Sequence, residues 1–225
     1  MLKMFATQLS GLFKRLTEKE EQSIEDGARL LAQAALGEGT IYIYGTGEMA
    51  AIGLEAVHGA EPLASARVLG LGDGDRVGDF DDAGDVGDAG EFGVPGRVSG
   101  AGSVPEQEQF GDISATDRML KPGPLSDIGV ADRVLLAARQ SDDPAVLKIA
   151  QSLLSQGVPF VAISAQVRDG GLQQQADVHI DLGLAKGLLP DENGERFGYP
   201  ASMAALFVYH GLKFAIDEML AEYEE

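Results

Sequence analysis

The stretch Thr40-Ile41-Tyr42-Ile43-Tyr44-Gly45-Thr46-Gly47-Glu48-Met49-Ala50 decides the fold. Its first five residues are β-branched or aromatic, which suits a buried strand. Gly45 and Gly47 then turn the chain into a helix running toward His58, with Ile52, Leu54, Ala56 and Val57 along it and Pro62 marking its exit. A glycine turn between a parallel strand and a helix lets a ligand approach the backbone at the positive end of the helix dipole. Such a corner suits an anionic ligand.

On the amino-terminal side, residues 2–36 read as one long or two consecutive helices. Phe5, Leu9, Leu12, Phe13 and Leu16 make one apolar stripe, and Ile24, Leu30, Leu31 and Ala34 make another, before Gly37 and Gly39 end the segment. On the carboxyl side, Arg67 to Leu71 reads as a short second strand. Arg133 to Ala138 is a third, followed by the loop Arg139-Gln140-Ser141-Asp142-Asp143. Pro144 fits the first turn of a helix carrying Val146, Leu147, Ile149, Ala150, Leu153 and Leu154, which Gly157 stops. Val158 to Ser164 and Asp177 to Asp181 are further strands. Pro200 precedes a long helix with Met203, Leu206, Phe207, His210, Phe214 and Met219. This alternation predicts an α/β fold: a three-layer αβα sandwich with a central parallel sheet of about five strands. Ligands of such sheets sit at the carboxyl ends of the strands, where the 45–49 and 139–143 loops are expected to meet.

Composition narrows the function. A formal charge of −19 argues against nucleic acid or an anionic membrane surface as the main partner. A small anion needs only a local cluster of donors and remains compatible. Zero Cys removes disulfides and thiolate chemistry together, and three scattered His make no metal site. The start, MLKMFATQLSGLFKRL, lacks the continuous apolar core of a signal peptide, and no window approaches the roughly 20 apolar residues of a membrane span. A soluble, cytoplasmic protein is expected.

From Leu71 to Glu108 the chain holds ten Gly and ten acidic residues against two Arg. That is too little apolar surface to offset the entropy of ordering it, so a flexible acidic insertion of about 71–125 is expected within one domain spanning 1–225. Asp79, Asp81 and Gly84 fall at the first, third and sixth places of a calcium-loop spacing. Ala83 and Gly90 stand at the fifth and twelfth places, and the ligand set fails.

Gly45-x-Gly47-x-x-Ala50 also matches the dinucleotide fingerprint, with Asp73 as a candidate ribose acid. A nicotinamide-dependent oxidoreductase is therefore one reading. Against it stand the long helices before the first strand and the glycine-acid tract after the second.

The full layout points elsewhere. The initial helices, TIYIYGTGEMA, DRVLLAARQSDDPAVLKIAQSLLSQGVPFVAIS, ADVHID and the final VYHGLKFAIDEML together resemble a SIS (sugar isomerase) domain. The likeness is to phosphoheptose-isomerase-like proteins and, nearer still, to a bacterial group classed only as a domain of unknown function. It covers residues 1–70 and 127–225. The resemblance implies a flavodoxin-like sandwich with terminal helices packed on it, a sugar phosphate or similar small anion as ligand, no cofactor, and a homodimer with sites at subunit boundaries. It implies either aldose–ketose isomerisation or a non-catalytic sensing module.

Carried over residue by residue, the match is uneven. The family's first loop reads Gly-Asn-Gly-Gly-Ser; here Gly45-Thr46-Gly47-Glu48-Met49 loses the hydroxyl and gains a carboxylate. The family's second loop is rich in Ser and Thr; here Arg139, Gln140 and Ser141 lead into Asp142 and Asp143, either of which can cap the following helix. A carboxylate there competes with phosphate for the same amides. Arg139 is either a bidentate anion contact or a surface partner of Asp142. His210 falls at the family's general-base histidine, and imidazole suits proton transfer between adjacent carbons. The family's glutamate position falls near Gly59, so Glu55 or Glu61 would complete the exchange. Lys186 and Arg196 join Arg139 as candidate anion contacts, or are solvated loop charges. His58 and His179 read as structural.

Overall fold

The computed structural model describes residues 1–69 and 125–224. The acidic insertion, the calcium-loop spacing and Asp73 lie outside the described residues. One continuous helix, α1 (Leu2–Leu36), leads into β1 (Ile41–Gly45), a 3₁₀ turn (Gly47–Ala50), α2 (Ala51–His58) and β2 (Ala66–Val68). After the undescribed segment come β3 (Arg133–Gln140), α3 (Pro144–Gln156), β4 (Phe160–Ala165) and β5 (Val178–Asp181). A small antiparallel hairpin, β6 (Leu189–Pro190) with β7 (Arg196–Phe197), precedes α4 (Ala201–Glu224).

The five main strands form one parallel sheet in the order β2-β1-β3-β4-β5. Period-two alternation sends each strand's side chains to two cores. Ile41, Ile43, Leu135, Ala137, Val161 and Ile163 face α1, α2 and α4. Tyr42, Tyr44, Val134, Leu136, Phe160 and Ala162 face α3. Burying each such side chain stabilises by about 1.5–3 kcal/mol before entropy is counted. A sheet covered on both faces explains why β1, β3 and β4 read as near-continuous apolar runs.

This strand order positions the site. The chain leaves β1 toward α2 on one face and leaves β3 toward α3 on the other. The two exits diverge, and a crevice opens between them at the switch point of the sheet. Asp132 ties the far end: its two carboxylate oxygens accept from the Thr40 and Gly129 amides, both at 2.7 Å. Some strand limits differ from expectation. β2 starts at Ala66, β4 starts two residues after Val158, and β3 runs two residues past Ala138. Between Ala137 and Gln140 β3 carries one residue more than β4, a bulge that extends the strand into the crevice.

Candidate functional site

The first corner is shaped by its glycines. A Cβ on Gly45 would meet the Met49 carbonyl oxygen at 2.4 Å, and Gly47 sits at φ +54°, which favours glycine. The second corner is shaped by Asp143. Its Oδ1 accepts from the amides of Ala145 (2.9 Å) and Val146 (3.3 Å), capping α3 with Pro144 at its first turn. Asp143, not Asp142, is the cap.

Two side-chain bonds join the corners. Thr46 Oγ1 donates to Asp143 Oδ2 at 3.1 Å, and Arg139 Nε donates to Glu48 Oε1 at 2.7 Å. Arg139 therefore pairs with Glu48 across the crevice, and the expected pairing with Asp142 is corrected. That bond holds the Glu48 carboxyl below the usual carboxylate range and raises the Arg139 guanidinium further. Tyr199 lies within electrostatic reach of Arg139, bringing the segment before α4 toward the same place. Between the corners lies an open cavity of about 410 Å³, lined by Thr46, Gly47, Glu48, Arg139, Gln140, Asp142, Asp143 and Pro144. Its floor is backbone and its walls are polar, so it suits a hydroxyl-bearing ligand with one anionic group.

Other expected residues stand elsewhere. Ser141 is fully buried; its hydroxyl accepts from the Val167 amide at 3.1 Å and its carbonyl from the Leu172 amide at 2.8 Å. It pins the loop after β4 and does not line the cavity. Arg196 donates from Nε to the Gly187 carbonyl (2.7 Å) and from Nη2 to the Leu188 carbonyl (2.8 Å), which braces the hairpin. Lys186 is exposed and is not a lining residue either. Glu55 and His210 do meet, with Oε1 and Nε2 3.9 Å apart, on the outer side of α2 and α4. Neither lines the cavity. Seven residues of mostly helical chain separate Glu55 from Glu48, roughly 10 Å along the axis. Glu61 points to Lys213 Nζ at 4.0 Å, while that buried ammonium is held by Asp217 at 2.5 Å.

Three residues outside the expected set share this region. Lys213 is buried, and Tyr209 beside it is fully buried, its hydroxyl without a hydrogen-bond partner among the described residues. Burial, then the fields of Glu55 and Asp217, push the Tyr209 phenol up to about 12. Tyr209, Lys213 and Asp217 are spaced by four and share one helix face; that spacing was visible in the sequence, but what it faces was not. The third, Tyr199, gave no local signal. Among the described residues no group of three or more His, Cys, Asp or Glu is placed to hold a metal ion, and no helix is long and apolar enough to cross a membrane.

The parallel sheet, its helical layers and the crevice at its switch point define a SIS-type αβα protein. A protein from E. coli CFT073, c3406, solved in complex with a sugar phosphate, superposes with a TM-score of 0.56 at 12% identity, over 98% of this chain and 89% of that one. The Vibrio vulnificus NanR protein complexed with ManNAc-6P gives the same TM-score at 12% identity, over 99% of this chain and 64% of that one. At such identity the likeness is one of fold. By sequence, the chain belongs to the family described as Domain of unknown function (DUF2529), whose model matches residues 1–82 and 112–220. It is 33% identical over 224 residues to the uncharacterized protein YwjG of Bacillus subtilis (strain 168), covering 99% of both chains.

Proposed function

We propose that this chain binds a sugar phosphate, or a similarly small anion, in the cavity between the β1 and β3 corners, as a sensing or binding module. The observation that carries the reading is the convergence of the two corners on one polar cavity around Arg139. Asp143 already occupies the α3 amides, so the ligand's anionic group goes to Arg139, and Gln140 and Asp142 take its hydroxyls. The sugar phosphates bound by the two fold neighbours support the class of ligand. A thermal-shift screen of sugar phosphates against NAD(H) and NADP(H) tests it, because a ligand that prefers the native state raises its melting point. Sugar phosphates should stabilise the protein and Arg139→Ala should abolish the effect. Stabilisation by nicotinamide dinucleotides alone would transfer the corner to the oxidoreductase reading.

A second reading, aldose–ketose isomerisation, is favoured by the contact of His210 with Glu55. In it these two groups exchange the proton between adjacent sugar carbons, and Glu61 serves only to hold Lys213. A His210→Ala variant that still binds a sugar phosphate but loses measurable turnover would establish it. Both readings are of a homodimer. His210 borders a second cavity of about 400 Å³, an apolar groove between α1 and α4 lined by Ile24, Phe207, Gly211, Phe214 and Ala215 among others. Phe214 is 62% exposed beside that groove, so a two-fold partner can seat one chain's knob in the other's groove.

A further inference from the structure

Among the described residues, Arg139 is the one cation lining the two-corner cavity, and Glu48 already holds it. The pair is a cross-link between loops 91 residues apart in the chain, so its geometry is a property of the crevice and not of a helix surface. Its two side chains are 55% and 37% exposed, which makes it cheap to break. A second bond, Thr46 to Asp143, keeps the corners together when Glu48 lets go. Glu48 meets the guanidinium through Nε, whereas a phosphate or a ligand carboxylate can take two N–H groups at once.

Resting on the binding reading above, we propose that Glu48 is a built-in competitor for the ligand's anionic group. Its carboxylate occupies Arg139 in the free protein and is displaced when the ligand docks, so Glu48 sets the affinity of the site and demands a bidentate anion. The residue that departs most sharply from the SIS loop pattern thereby acquires a role: it raises the concentration at which ligand is registered. Glu48 also repels the incoming anion in the free state, so removing its charge acts twice in the same direction.

The test is calorimetric titration of the wild-type chain, Glu48→Gln, Glu48→Ala and the double variant Glu48→Gln/Arg139→Ala with glucose 6-phosphate and with inorganic phosphate. Both single variants should bind about tenfold tighter than wild type, and the double variant should lose that gain. Unchanged or weaker binding by both single variants, with wild-type binding intact, would overturn the proposal and leave the binding reading standing. Failure of both probes to bind any of the proteins would overturn the two together.

Discussion

His179 illustrates how a residue can be held by its neighbours rather than by function. Its Nε2 lies 2.7 Å from the buried Ser164 hydroxyl on the adjacent strand. Burial lowers its pKa and Asp181 opposes the shift in part. The folded chain therefore takes up this proton at lower pH than the unfolded chain does, whose histidine titrates at about 6.5. The stability His179 contributes is complete above that value and is lost as pH falls below it. Urea unfolding at pH 7.5 and 5.5 should show a fall for the wild-type chain, and His179→Gln should show a smaller one. Equal falls would mean that the loss comes from other groups. The neighbouring lesson concerns Arg139: whether it pairs with Asp142 or reaches a ligand could not be decided from its own segment. Its partner, Glu48, lies in another loop, and only the sheet brings the two together.

Among the elements, the β1 corner and α3 do most to form the site. Asp143 satisfies two amides at the start of α3 and also receives Thr46, so Asp143→Ala removes a cap and a cross-link together. Loss of about 1–2 kcal/mol is expected in denaturant unfolding, while Asp142→Ala should stay within about 0.5 kcal/mol. These elements were largely legible beforehand. β-branched runs, a glycine turn and a proline at the first turn each express a local steric preference, and local preferences survive folding. The end of β3 was less legible, because the bulge that carries Arg139 into the crevice depends on the register with β4. Ser141 shows the converse. It stands in a polar loop and resembles the family's hydroxyls, yet its side chain is spent on the Val167 amide. Sequence spacing does not reveal which side of a loop a hydroxyl takes.

For the molecule as a whole, strand alternation was enough to imply the αβα layers and the meeting of the two corners, since parallel sheets admit few topologies. The distance of His210 and Glu55 from the cavity was not visible, because it depends on how far along α2 and α4 each residue falls. The same helices leave Met203, Phe207 and Phe214 exposed on α4. If a second copy covers them, Phe214→Glu should turn a dimer into a monomer in sedimentation velocity at micromolar concentration; a wild-type monomer would remove the proposal. The central claim, that one small anion is gripped between the two corners, is tested most directly by amide chemical-shift mapping during titration with sugar phosphates. The account expects saturable shifts concentrated at Thr46, Gly47, Glu48, Arg139, Gln140 and Asp142. Saturable shifts centred on the groove between α1 and α4, with those corners silent, would contradict it.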